Sequence, residues 1–560
     1  MSEAPLARSL RLLAAIALGW LVLGEWLGPA LIARLHGADA AEGWPPLARL
    51  LARAQSRHSL PYYVAAWREN GRWAVLALLA YQGFARATHG ARFAERFVPT
   101  ATPGALGGVR ALVASVLLAS ALWEQLPSSA LLPREMIHGP GPALSLLYAL
   151  PIGFERFVAS PLALGAFQAI TVALLACAAL GLRTRLSVPL AAAAYLVLGG
   201  ILRQYAWFYH TGLIPLYLLI ALSFTPCGDG FSLDCWLRAR RGEPGPDAGK
   251  ATLNYGWARF FVWAALALPY VEAGLSKLRR GGLAWPHAQN LKSLLLIDTL
   301  NPMQFDWGIT LRLVHAPDAL FWAIGLTTLA GEIGYGLVLF SRRARCVLPA
   351  ITVGMHLGIW LLQNVLFFDL ILLQAIFLDW RALRVAIASR APALGMLASP
   401  HPPAAVSACA ALPGTHWPRR VRALAALLVT CWALRIEEYP FTAMQMYSKP
   451  NLTGVIDWYA VEATFESGER RRAPIERAIP AVRDARYRRV IRQGFDGDAQ
   501  NRALAEAFLA AFARAYNTAA TAGERITAVE AQRWRWDYAR SPDDSAHGTL
   551  AERFIVRARN

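Results

Sequence analysis

Apolar residues arrive along this chain in long blocks, from Leu10 to Ala33, Trp73 to Ala87, Gly107 to Leu126, Pro161 to Leu182, Leu186 to Tyr205 and Phe208 to Thr225. Five more follow, from Tyr255 to Leu278, Ala319 to Phe340, Cys346 to Leu362, Leu366 to Trp380 and Val421 to Tyr439. A bilayer core takes about 20 apolar residues per helical crossing. Blocks of that length, repeated over most of a chain, predict lipid-facing helices rather than the core of one globule. The pattern gives about eleven crossings, with Gln363-Asn364 leaving open one long broken helix in place of two.

After the last block the period changes. Tyr459, Val461, Ala463 and Phe465 alternate along a predicted strand that ends at Ser467-Gly468, and a second short strand follows. Leu504, Phe508, Leu509, Phe512 and Tyr516 fall on one face of a helix, and Trp534, Trp536 and Tyr538 then alternate with Arg533, Arg535 and Asp537 as a further strand. The fold class expected is therefore an all-α polytopic membrane helix bundle with a small α+β C-terminal extramembrane domain. Its divisions fall at 1–104 (N-terminal transmembrane helices), 105–390 (main transmembrane domain), 391–443 (linker and last helix) and 444–560 (soluble tail). The stretch from Ala391 to Trp417, with Pro400, Pro402, Pro403 and Pro413, reads as a flexible cytoplasmic connection.

Composition agrees: hydrophobic residues make up 56% of the 560. The formal net charge of +19 would raise nucleic-acid binding for a soluble chain, but the arginines cluster in short loops between apolar blocks, so no nucleic-acid partner is expected. With the N-terminus inside, the cytoplasmic loops carry Arg92 and Arg96, then Arg183 and Arg185, then Arg238, Arg240 and Arg241. The next carry Arg342, Arg343 and Arg345, and the last Arg381, Arg384, Arg390, Arg419 and Arg420. Two outside segments run against the rule, Arg49 to Arg68 with its four arginines and Lys277 to Arg280. An odd number of crossings puts the tail from about Met444 outside. Arg8 and Arg11 before the first block, and Ala38-Asp39-Ala40 after it, also fit a signal peptide, but an apolar run longer than about 15 residues favours an uncleaved first helix. Six scattered cysteines show no CxxC and no Cys/His spacing for zinc, so no metal is expected.

Ionisable groups inside hydrocarbon cost a few kcal/mol, which makes each a functional candidate. Arg259, Trp263, Leu266, Tyr270, Ala273 and Lys277 lie along one helical stripe, with Glu272 one turn before Ser276. Lys277 reads either as a base with a partly desolvated amine or as a snorkelling anchor at the outer interface. His210 follows the aromatic belt Tyr205, Trp207, Phe208 and Tyr209, while Glu332, His356 and Asp369 sit in other apolar blocks. Such a His/Glu/Asp set relays protons or fixes helices by hydrogen bonds.

The segment Tyr270-Val271-Glu272-Ala273-Gly274-Leu275-Ser276-Lys277-Leu278, followed by Trp285, resembles the AG-x-x-KL segment of the vitamin K-dependent gamma-carboxylase-like (HTTM) family. Tyr209-His210-Thr211 through Leu216-Tyr217-Leu218 to Ser232-Leu233-Asp234 resembles that family's histidine-bearing segment. Met355-His356 through Phe367-Phe368-Asp369 to Asp379-Trp380 resembles another, so the likeness runs in order over roughly Arg110 to Trp380. In the carboxylase the family's lysine deprotonates reduced vitamin K, whose oxygenation yields a base able to take a proton from a glutamate γ-carbon before CO2 adds. The resemblance implies that Lys277 is the base and His210 a supporting hydrogen-bonding group, with reduced vitamin K or another quinol as cofactor. Two helices precede the family-like region, and the tail of about 120 residues is smaller than the carboxylase's lumenal part, with no identifiable peptide-binding region. Two functions stay open: a membrane enzyme acting on a quinol or lipid-like substrate, and a non-catalytic transporter or assembly partner. Membrane lipids, a quinone and a protein docking on the outer tail are the partners expected.

Overall fold

A computed structural model describes residues 14–15, 18–36, 59–87, 91–137, 141–205, 210–246, 250–301, 307–378 and 416–558. The expected linker lies outside these up to residue 415, as do Trp207, Phe208, Tyr209, Asp379, Trp380 and the basic residues Arg381, Arg384 and Arg390. The chain is mostly helical, with a small C-terminal sheet.

Among the described residues seven helices are long and apolar enough to cross a membrane: Leu18–Leu35, Pro103–Trp123, Pro161–Leu180, Thr184–Tyr205, Leu253–Ala284, Asp318–Leu339 and Arg342–Gln363. Each coincides with an expected crossing. Four other expected crossings do not reach that length and hydropathy. Two are short apolar helices, Leu213–Ser223 and Phe368–Phe377. The remaining two fall in Leu60–Ala87, which carries Arg68, Glu69 and Arg72, and His416–Leu434, which opens with Arg419, Arg420 and Arg422.

The chain divides into two compact units. In the unit formed by residues 1–96, 418–437 and 441–443, Glu25 lies in a π-helical stretch, Leu21–Leu27, and accepts from Arg68 at 2.9 Å and Arg72 at 3.0 Å. Trp73 meets Trp432 edge to face, and Arg435 pairs with Glu69.

The other unit holds the remaining spans together with the tail. Its main helices are α1 (Pro103–Trp123), α2 (Pro161–Leu180), α3 (Thr184–Tyr205), α4 (Leu213–Ser223), α5 (Leu253–Gly281), α6 (Ala288–Leu300), α7 (Asp318–Gly334), α8 (Arg342–Gln363) and α9 (Phe368–Leu373). Helix starts follow a local rule: Thr102, Ser160, Thr252 and Ser341 each turn a hydroxyl onto the backbone N–H three residues on. Arg110, fully buried on α1, donates to the carbonyls of Cys227, Ala179 and Phe231 and so locks the α2 end to the loop after α4. Nearby, Asp234 accepts from the backbone N–H groups of Arg183 and Thr184 at the start of α3.

In the tail, strands β1 (Val455–Phe465), β2 (Arg470–Arg472), β3 (Ile526–Asp537) and β4 (Thr549–Arg557) form an antiparallel sheet in the order β2-β1-β3-β4. Helices α10 (Arg488–Asp496) and α11 (Ala499–Ala519) cover one face, where Phe465 meets Tyr516 and Tyr459 meets Phe495. At the Ile456 end of the sheet the core is shared: Ile456, Trp536 and Tyr538 bury themselves with Leu296 of α6 and Val314. A bidentate ion pair reinforces the join, Arg486 donating to both Glu124 oxygens at 2.7 and 2.8 Å with both side chains under 10% exposed.

Candidate functional site

The site grows from a tight helix crossing. A Cβ on Gly274 of α5 would stand 2.6 Å from Ile333 Cγ1 and 3.1 Å from Glu332 Cβ, so α5 and α7 meet where only a hydrogen fits. One turn on, this closeness brings Lys277 and Glu332 together. Lys277 Nζ donates to Oε1 and Oε2 of Glu332, each at 2.8 Å, with the two side chains 5% and 10% exposed. The ammonium also lies 5.3 Å from the centre of the Trp285 ring. Lys277 therefore ends on a carboxylate inside the bundle rather than in open solvent. A pair buried this way is costly to break, because either partner alone would be an uncompensated charge.

Two turns earlier on α5 a second network begins. Tyr335 donates its hydroxyl to Gln374 Oε1, and Gln374 Nε2 donates to Leu370 O at 2.9 Å and to the Tyr270 hydroxyl at 3.3 Å. Tyr270 Oη lies 2.8 Å from His356 Nε2 on α8. The Tyr270 and Tyr335 ring centroids are 4.5 Å apart, and the Phe367 ring meets the imidazole edge to face at 5.6 Å.

His210 sits half-buried just before Gly212, whose φ of +76° opens α4. Two charged side chains hold this corner: Arg203 donates to Thr211 O at 2.6 Å, and Asp369 Oδ2 accepts from Gly212 N at 2.9 Å. The other Asp369 oxygen accepts from Leu370 N at 2.9 Å, so this carboxylate is a backbone clamp rather than a free acid. Lys277 is the cation that acts on His356 and, with Arg203, on His210, while Asp369 and Glu332 both act on Tyr270.

Six of the seven candidates thus share one neighbourhood: Lys277, Glu332, Tyr270, His356, Asp369 and His210. Arg259 does not. It stands eighteen residues before Lys277, about 27 Å at the helical rise. There it donates to the carbonyls of Ile376 and Leu378 and lies over Trp263. The stripe placed it on the right face at the wrong end. Gln374, Tyr335 and Arg203 are members that sequence reasoning missed. Gln374 had a signal, an amide inside an apolar run, but amides carry too small a burial cost to stand out as Lys277 does.

Among the described residues no three or more His, Cys, Asp and Glu side chains are grouped to hold a metal ion. The fold and site define a helical bundle with membrane-length spans, an interior lysine-carboxylate pair and a tyrosine-histidine network beside it. No family model, no curated protein and no solved structure matches the chain.

Proposed function

We propose that the chain is an integral membrane enzyme that deprotonates the hydroxyl of a quinol or lipid-like substrate at the Lys277–Glu332 pair. The observation that carries this reading is the burial of a hydrogen-bonded amine and carboxylate among polar groups that have no need to be there for membrane insertion. A proton shift across the 2.8 Å contact turns ammonium and carboxylate into amine and carboxylic acid. The amine then takes the substrate proton, leaving an ammonium against the substrate oxyanion and a protonated Glu332 behind it. The resemblance gives His210 a supporting hydrogen-bonding role beside Lys277. Reduced vitamin K, or another quinol, is the substrate class that the resemblance over Arg110 to Trp380 supports.

One observation favours a second reading. Both Glu332 oxygens are used by one ammonium at the Gly274 crossing, as expected of an ion pair that only pins α5 to α7 in a non-catalytic transporter or assembly partner. The purified protein with its lipids separates the two: mass spectrometry reads whether a quinone co-purifies and is turned over. Lys277→Ala and Lys277→Arg both abolish turnover in the first reading, since Arg keeps charge but does not give up its proton. Full turnover by Lys277→Arg sinks the base assignment.

The arrangement in the membrane belongs to the same proposal. About eleven crossings, with Leu60–Ala87, Leu213–Ser223, the Phe368–Phe377 segment and His416–Leu434 among them, put the N-terminus in the cytoplasm and the tail outside, where a protein partner docks.

A further inference from the structure

Counting protons around Tyr270 fixes the state of His356. Gln374 spends both amide hydrogens, on Leu370 O and on the Tyr270 oxygen, and its own oxygen is taken by the Tyr335 hydroxyl. Tyr270 therefore accepts from Gln374 and has a single hydrogen left to give. The one partner in line for it is His356 Nε2, at 2.8 Å, which must then carry a lone pair. A neutral imidazole with Nε2 unprotonated carries its hydrogen on Nδ1. His356 is 4% exposed, and its Nδ1 has no hydrogen-bond partner among the described residues. A buried N–H left over in an otherwise saturated network is expensive and calls for an acceptor.

We propose that His356 Nδ1–H is a preset hydrogen-bond donor for a ligand oxygen, the carbonyl or hydroxyl oxygen of a quinone or quinol seated beside Lys277. The inference rests on the quinol reading above and adds to it the group that receives the ligand. The ligand is an acceptor, since a second donor would face the Nδ1 hydrogen. It is uncharged or an oxyanion, since an N–H donor offers nothing to a cation. The Tyr335–Gln374–Tyr270 chain has a purpose in this arrangement: it holds the tautomer, so His356 is a positioning residue's client and the ligand's direct contact.

Two substitutions take the two sides of the ring apart. His356→Gln extends an amide oxygen toward the Nε2 position and keeps an acceptor for Tyr270, but places nothing at Nδ1. His356→Asn does the reverse. The probe is menadione labelled with 13C at its carbonyls, added to the full chain in membranes, with binding and the infrared carbonyl band read together. The expected result is a band lowered in frequency in the wild type and in His356→Asn. In His356→Gln the lowering is lost and binding weakens about tenfold. In parallel, 15N-histidine spectra of the ligand-free protein place the His356 hydrogen on Nδ1, and Tyr270→Phe removes that preference.

A lowered band that persists in His356→Gln, or a hydrogen found on Nε2, overturns the donor assignment and leaves quinone binding standing. Absence of menadione binding in the wild type overturns both the quinol reading and the ligand class assigned to His356.

Discussion

Arg486→Ala would test whether the tail depends on the helices. Arg486 donates to both oxygens of Glu124, at 2.7 and 2.8 Å, and also to Ala481 O at 3.2 Å. The Glu124 backbone carbonyl is itself fixed by Gln168 Nε2 at 2.6 Å and the Glu124 side chain is 9% exposed, so a carboxylate that loses Arg486 is poorly placed to be solvated. Truncating the arginine leaves a buried carboxylate without its partner, which costs about 3–5 kcal/mol. At 1.36 kcal/mol per tenfold, that raises the opening equilibrium of this join by roughly a hundred- to several thousandfold. Hydrogen exchange by mass spectrometry reads it directly on peptides covering 480–496, which should lose protection while α2 and α3 keep theirs. Glu124→Gln combined with Arg486→Met removes both charges and should recover most of the loss, since a paired removal strands nothing. Protection in Arg486→Ala within threefold of the wild type would refute the reasoning.

Asp298, whose helix α6 is not among the membrane-length spans, has its carboxyl pushed up to about 6 by burial, with Arg488 3.8 Å away opposing the shift. Because the folded value is raised, its contribution is full below the ordinary carboxylate range and is lost as pH rises through 6. A change of about two units is on the order of 3 kcal/mol. Thermal denaturation of the wild type should thus weaken between pH 4 and 7 relative to Asp298→Asn, and parallel profiles would remove Asp298 as the cause. Gly274→Val should separate α5 from α7 and cost about 3 kcal/mol or more, read as a fall in melting temperature and in folded yield. Wild-type behaviour would mean that the crossing yields easily. Cysteine labels placed after Arg557 should react from outside intact cells, and labels near Arg240 and Arg343 should not; external labelling at Arg240 overturns the proposed orientation.

Sequence was most legible where one residue's cost stands alone. Seven membrane-length helices among the described residues announced themselves because about 20 apolar residues in a row have few other uses. The four remaining blocks were ambiguous for different reasons. Leu213–Ser223 is shortened by the turn at Gly212, and Leu60–Ala87 carries its polar residues in its first half, where an apolar window does not begin until Trp73. The tail's alternation at Tyr459 to Phe465 survives in β1, paired through Val461↔Ala531 and Ala463↔Val529. What pairs with what was not legible, since no local pattern announces that Lys277 will meet Glu332, 55 positions away, or that Glu124 will meet Arg486. The failure at Arg259 has the same root: helical periodicity fixes direction around an axis and says nothing about which neighbours lie at each height.

The shared cluster of Leu296, Val314, Ile456, Trp536 and Tyr538 has a consequence for synthesis. Leu296 leaves the ribosome 240 residues ahead of Trp536, which at usual elongation rates is roughly ten to fifty seconds. Throughout that interval the apolar side of α6 has been made and its covering strand has not. Any chain halted before β3 would leave that side open on a membrane-inserted product, a surface that quality-control proteases and chaperones recognise. Completion of the last strands is therefore what closes the apolar side of α6, long after the helix itself is made.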